Sequence, residues 1–101
     1  MKMIVLTASA AFEEQCKSIL KEAGVNSYSF YETKGFMDFP NDLTNDNWFA
    51  TEVDETTSIL FFAFVKADKT AIVFELVDHF NKQQETVSKV HCVQLDIEKS
   101  N

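Results

Sequence analysis

The residues in this chain whose types best suit metal binding are His79, His91 and Cys92. His91 and Cys92 are neighbours in a segment with the periodicity of a strand, and His79 falls in a segment with the periodicity of a helix. Imidazole and thiolate are ligands for zinc or copper, but adjacent residues of a strand point to opposite faces. We therefore interpret Cys92 as a core residue and His91 as structural or facing a cleft, and we predict no metal site from this group.

An acidic segment, residues 37–57, could in principle attract cations. It contains six of the sixteen acidic residues, the only Pro and the only Trp, and no Lys. Carboxylate and amide oxygens are ligands that hard cations prefer. Such side chains occur here at Asp42, Asn45, Asp46 and Asn47. They do not follow the spacing of an EF-hand, so a solvated loop is the interpretation that the sequence favours.

The same segment is rich in aromatic residues. Phe39, Trp48 and Phe49 lie among charged side chains, a composition typical of segments that contact a partner protein. The alternative is that these rings pack against their own subunit, and the sequence leaves both open. We predict a partner-binding role for the three residues.

Catalysis has no recognisable signature in the chain. No nucleophile stands at a known spacing from a base, and the two Gly residues form no phosphate-binding turn. We predict a protein that is not an enzyme.

Charge and composition narrow the classes of partner. The net charge is −7, and all nine basic residues are Lys. Nucleic-acid binding needs a basic surface, so DNA and RNA are not expected partners. Residues 3–7 form too short an apolar run for a secretion signal, and no run reaches the roughly 20 apolar residues of a membrane span. With Cys16 and Cys92 at positions typical of reduced core thiols, we expect a cytoplasmic protein.

The first half of the chain predicts a strand, a helix and a second strand. Residues 3–7 form an apolar strand, and Ser9 is placed to cap the following helix. Gly24 ends that helix, and alternation over residues 26–36 predicts the second strand. The apolar helix positions are spaced for one buried face. They are Phe12, Cys16, Ile19, Leu20 and Ala23.

The second half repeats the order strand, helix, strand. Residues 58–66 predict a strand with apolar side chains on both faces, and Asp68 is placed to cap a helix that runs to about Gln84. Residues 90–98 predict the last strand. The predicted core positions of the second helix are Ile72, Val73, Leu76, Val77 and Phe80.

The order βαββαβ predicts an α+β fold of the ferredoxin-like type. Right-handed crossovers place both helices on one face of a four-stranded antiparallel sheet, in a single domain spanning residues 1–101. The third strand would then expose apolar side chains on the uncovered face, which a monomer in water rarely does. We expect oligomerisation through the sheet; the alternative is that the long loop between strands 2 and 3 folds back over it.

The sequence Glu32-Thr33-Lys34-Gly35-Phe36 resembles the entrance to the T-loop of the PII signalling superfamily. The run over residues 21–25 and the last strand support this resemblance. It implies a homotrimer that binds a small effector at clefts between subunits and contacts a target, such as a membrane transporter, through a T-loop-like segment at about residues 37–57. Carried onto this chain, it implies ligand-binding roles for Lys34, Gly35, Phe36, Lys89 and His91.

The chain departs from the family at its phosphate loop. The family has a Gly-rich turn before the last strand, but residues 81–89 of this chain contain no Gly, and only Lys89 matches the family pattern. In addition, Ile59 and Phe61 stand early in the third strand, where the family has a basic residue. The usual mode of ATP or ADP binding is therefore not expected, and the effector is unknown. Two alternatives stay open: a CutA-like trimer that binds divalent metal, and an interaction domain without a small-molecule ligand.

Overall fold

A computed structural model describes the backbone of residues 1–36 and 55–101, and the side chains of residues 1–35 and 57–101. In this part of the chain, the order of elements is β1 (Lys2–Ser9), a 3₁₀ turn (Ala10–Phe12), α1 (Glu13–Glu22), β2 (Ser29–Phe36), β3 (Glu55–Val65), α2 (Ala67–Gln83) and β4 (His91–Asp96). The strands form one antiparallel sheet in the order β2-β3-β1-β4. The predicted α+β, ferredoxin-like class is confirmed.

The core lies between the sheet and the two helices. Alternate residues of the central strands are buried on this side, with Leu6 and Ile59 wholly inaccessible and Phe61 1% exposed. From the helices, Cys16 and Val73 complete the cluster with no exposed surface. Because apolar burial is the main force in folding, these alternating positions fix which face of each strand turns towards the helices.

The end of α1 follows the sequence prediction, and its start follows it only in part, because the N-cap of α1 is Phe12, which makes no side-chain capping hydrogen bond. The Ser9 hydroxyl accepts a hydrogen bond from the Ala11 backbone N–H at 3.3 Å, which caps the 3₁₀ turn that leads into the helix. At the other end, Gly24 has φ = +81°. The N–H of Val25 donates to the Leu20 carbonyl at 2.9 Å, and that of Gly24 donates to the Lys21 carbonyl at 3.0 Å. This is the Schellman arrangement, which glycine favours.

The start of α2 differs from the prediction. The N-cap position is Lys66 and makes no side-chain capping hydrogen bond, while Asp68 lies inside the first turn. There its carboxylate still interacts favourably with the helix dipole. Ile72 was predicted to be core and is 42% exposed, because it lies beside the buried stripe that Val73 and Val77 form.

Among the strand boundaries, the starts of β2 and β3 differ most from the prediction. β2 begins at Ser29, three residues later than predicted, and β3 begins at Glu55, three residues earlier. Lys34, Gly35 and Phe36 pair with Thr57, Thr56 and Glu55 respectively. This pairing extends β3 into a polar sequence that has no apolar alternation to reveal it.

Candidate functional site

The face of the sheet opposite the helices, called here the outer face, is largely apolar. Along β1 and β3 its side chains alternate with the buried ones, and residues of β2 and β4 that pair with them extend the face on both sides. Phe64 is 58% exposed, Tyr31 52%, Val93 50% and Leu95 46%. The remaining apolar members are Met3, Val5, Leu60 and Phe62. In a single chain, this face is the kind of contiguous apolar patch that marks an interaction surface.

One end of the outer face is polar. Ser9 of β1 lies opposite Ser58 of β3, and Thr7 of β1 lies opposite His91 of β4. The connection between α2 and β4 borders these residues with Ser88 and Lys89 and completes a groove of about 470 Å³. We call it the polar groove. Its full lining is Thr7, Ala8, Ser9, Ser58, Val87, Ser88, Lys89 and His91.

The composition of the polar groove suits a small anion. Four hydroxyl groups can each donate a hydrogen bond, the Lys89 ammonium is a cation, and the His91 imidazole can donate from a ring nitrogen. Hydrogen bonds from charged donors to an anion are stronger than those between neutral groups. The described residues that line the groove include no carboxylate.

Asn81 holds the connection that carries Lys89. Its side-chain amide donates to the Val90 carbonyl at 2.9 Å, and its side-chain oxygen accepts from the Val90 N–H at 2.9 Å. The Asn81 backbone carbonyl also accepts from Lys89 Nζ at 3.0 Å. Since an ammonium has three donors, Lys89 retains others for a ligand. Val90 itself is 2% exposed, so this clamp fixes the residue between Lys89 and His91.

The other predicted ligand residues lie at the opposite edge of the sheet. Lys34 and Gly35 belong to β2, where Lys34 borders a shallow pocket of about 280 Å³ with Glu32, Thr33 and Thr57. Strands β3 and β1 separate β2 from β4, a distance of about 14 Å at the usual strand spacing. One chain therefore does not bring Lys34 and Gly35 together with Lys89 and His91. The backbone of Phe36 pairs with Glu55.

The partner-binding residues Phe39, Trp48 and Phe49 lie outside the described residues, as do Asp42 and its neighbours in the acidic segment. Their roles stay predictions.

The residues considered for metal binding are dispersed. His91 lies on the outer face, whereas Cys92 packs against the core on the other side of the sheet, and His79 lies on α2. Across residues 1–35 and 57–101, no three His, Cys, Asp or Glu side chains are grouped so as to hold a metal ion. Burial raises the pKa of the Cys92 thiol to about 11 and that of the Cys16 thiol to about 11. Both are free thiols that stay protonated at neutral pH.

Sequence reasoning missed the hydroxyl groups of the groove. Ser9 was interpreted only as a helix cap, and Thr7 and Ser58 only as strand residues. The available signal was the change from Met3 and Val5 to Thr7 and Ser9 along one face of β1, which shows that this face becomes polar at one end. No helix in the two described stretches has the length and apolar character needed to cross a membrane.

Comparison with solved structures identifies the fold. The chain is similar to CPII, a nitrogen regulatory PII-like protein from Thiomonas intermedia K12 bound to ADP, AMP and bicarbonate. The match has a TM-score of 0.59 and 18% identity, and it covers 97% of this chain and 94% of that one. The chain has the PII-like fold. CPII bound to ADP, AMP and acetate matches with a TM-score of 0.55 and 21% identity, covering 95% of this chain and 88% of that one.

The comparison also finds a second kind of neighbour. A DUF3240 family protein from Shewanella baltica OS155 matches with a TM-score of 0.66 and 13% identity, over 99% of this chain and 92% of that one. No protein-family model matches the sequence, and no curated protein matches it. The resemblance found at residues 32–36 thus agrees with the three-dimensional comparison at the level of the fold.

Proposed function

We propose that this protein is a PII-like regulator that acts by binding and not by catalysis. It forms a homotrimer in the cytoplasm and binds a small effector at the clefts between subunits. The T-loop-like segment, about residues 37–57, then contacts a protein target, for which a membrane transporter is our first candidate. The observation that carries this proposal is the polar groove at one end of an apolar outer face, within a PII-like fold.

The outer face supports the trimer. Residues such as Phe64 and Leu95 are about half exposed in one chain, and covering them with other subunits removes that apolar area from water. Packing of this kind brings strand edges of different subunits side by side. It would allow Lys34 and Gly35 of one subunit to approach Lys89 and His91 of another, which one chain cannot do.

The effector that best fits the polar groove is a small oxyanion. The chain has no Arg and no Gly between residues 81 and 89, so it lacks the side-chain fork and the close backbone approach that favour polyphosphates. Hydroxyl groups, one ammonium and one imidazole suffice for a singly charged anion. CPII is bound to bicarbonate in one structure and to acetate in the other, and we propose an anion of this size here.

The proposal is tested by thermal unfolding of the protein with bicarbonate, acetate, AMP, ADP and ATP. Bicarbonate or acetate should raise Tm, because a ligand that binds only the folded state stabilises it. A ligand at 100 times its Kd should raise the free energy of unfolding by about 2.7 kcal/mol. For a domain of this size, that corresponds to a rise in Tm of roughly 10 °C or more. Lys89→Gln should abolish most of the shift, and the matched control Lys99→Gln should retain it.

The alternatives give different results in the same assay. A shift with Zn²⁺, Cu²⁺ or Ca²⁺ and none with anions would favour the CutA-like metal-binding trimer. If none of these compounds shifts Tm, the proposed binding of a small effector is contradicted, and the alternative of an interaction domain without a small-molecule ligand is favoured.

A further inference from the structure

A second groove lies on the helical side of the molecule, between α1 and α2. It has a volume of about 340 Å³ and is separate from the polar groove and the outer face. We call it the interhelical groove. Its lining is Glu14, Gln15, Ser18, Ile19, Glu22, Leu76, His79, Phe80 and Gln83.

The floor of the interhelical groove is apolar and held in place. Ile19 is buried, and Leu76 and Phe80 are partly buried against the core. The Phe80 ring makes an edge contact with the Phe12 ring, with centroids 5.3 Å apart. A partner would therefore meet a floor that is already ordered, which lowers the entropy cost of binding.

The rim of the interhelical groove is acidic. Among the described residues that line it, Glu14 and Glu22 carry carboxylates and none is a Lys. Lys17, on the same helix, pairs with Glu13 at 2.8 Å and lies over the Phe30 ring at 4.6 Å from its centroid. Its distance to Glu14 is 3.9 Å, so it neutralises Glu14 only weakly. The Glu14 and Glu22 carboxylates give the rim a negative charge, which favours a cationic partner.

The spacing of the two carboxylates defines the form of that partner. Glu14 and Glu22 are eight residues apart on α1, about 12 Å along the axis, and the apolar floor lies between them. A partner helix with two basic residues about seven positions apart, and an apolar residue between them on the same face, matches this arrangement.

We propose that the interhelical groove is a docking site for a basic, amphipathic helix of a partner protein. An apolar side chain of that helix rests on Ile19, Leu76 and Phe80, and its two cations reach Glu14 and Glu22. The helices lie on the opposite side of the sheet from the outer face, so trimer formation through the outer face leaves this groove accessible. The site is therefore independent of the effector.

The proposal is tested with a labelled helical peptide of Leu and Lys that carries two Lys about seven residues apart beside its Leu stripe. The full-length protein should bind it, and a counterpart with Glu in place of Lys should not bind. Glu14→Gln and Glu22→Gln should each weaken binding by about 2- to 5-fold, as exposed ion pairs do, and the double variant by roughly 10-fold. Glu98→Gln makes the same charge change outside the groove and should leave the affinity unchanged.

Amide chemical shifts of the protein locate the bound peptide. Shift changes at Ser18, Ile19, His79 and Phe80 support the proposal. Shift changes confined to the outer face would overturn it, because the peptide would then bind to the apolar surface there. An equal loss of affinity in Glu98→Gln would also overturn it, because binding would then depend on the overall negative charge and not on the groove. Absence of binding also overturns it, whatever the anion assay shows.

Discussion

Gly24 has a backbone conformation that residues with a Cβ rarely adopt. Its φ is +81°, and a Cβ added there would lie 2.8 Å from Lys69 Nζ. That ammonium donates a hydrogen bond to the Gly24 carbonyl at 2.9 Å. The end of α1 thus depends on a single glycine, and the contact with Lys69 ties it to the start of α2.

Gly24→Ala should lower the free energy of unfolding by about 1–2 kcal/mol, the usual cost of a left-handed conformation for an L-residue. Gly24→Asn should cost less, since Asn tolerates this region. Urea denaturation of both variants measures the difference. Equal stability of Gly24→Ala and the wild type would contradict the role of this glycine.

The two thiols make stability depend on pH in the alkaline range. Burial raises the pKa of Cys16 to about 11 and that of Cys92 to about 11, from an ordinary value of 9.0. Above pH 9, the unfolded chain loses these protons before the folded chain does. The folded state then binds more protons, so stability falls as pH rises from 9 to 11 and is fully present below 9.

Urea denaturation at pH 8 and at pH 10.5 checks this. The wild type should lose more stability over this interval than the Cys16→Ala, Cys92→Ala double variant. An identical loss in the two proteins would show that the thiols do not contribute.

At the scale of elements, the clamp between α2 and β4 determines where Lys89 and His91 lie. Asn81 makes two side-chain hydrogen bonds to the backbone of Val90, each 2.9 Å long. It therefore replaces part of the strand pairing that the connection lacks. Loss of this side chain removes both bonds and leaves the Val90 backbone groups without partners in a part-buried position.

Asn81→Ala should lower the free energy of unfolding by about 1–3 kcal/mol, at a typical net value for two hydrogen bonds. It should also speed amide hydrogen exchange at Val90 and weaken any anion binding that depends on Lys89. Lys82→Ala is a matched control, because Lys82 pairs with Asp78 on the exposed side of the same helix, and its effect should stay within about 0.5 kcal/mol. An effect no larger than that of the control would argue against the clamp.

The elements also show how far local patterns reach. The buried stripe of α1 and its end at Gly24 follow from spacing and one special residue, and both were predicted. The start of β3 at Glu55 was not, because Glu55, Thr56 and Thr57 have no apolar alternation. They become strand only by pairing with Phe36, Gly35 and Lys34 of β2.

At the scale of the whole molecule, the outer face should control assembly. Phe64 is 58% exposed in one chain, so Phe64→Glu should cost little folding stability but place a charge in the proposed interface. The wild type should have three times the 11.5 kDa mass of one chain, and Phe64→Glu should shift the population towards the monomer. Light scattering measures both masses.

Phe74→Glu provides the control for this experiment. Phe74 lies on α2 and is 40% exposed, so the same change of residue type occurs away from the outer face. The mass of the Phe74→Glu variant in light scattering should equal that of the wild type. A wild-type monomer, or equal dissociation in both variants, would contradict assembly through the outer face.

The sequence by itself determined the order of the described elements and the buried stripe of α1. These properties depend on residues close together in the chain, through helical and strand periodicity and helix-capping residues. Ser9 shows the limit of that information, since its local pattern revealed a cap and nothing more. Only the tertiary structure placed Ser9 opposite Ser58 and Thr7 opposite His91, because strand order and register are set by packing between distant segments. For the same reason, only the tertiary structure showed that Lys34 and Lys89 lie at opposite edges of the sheet.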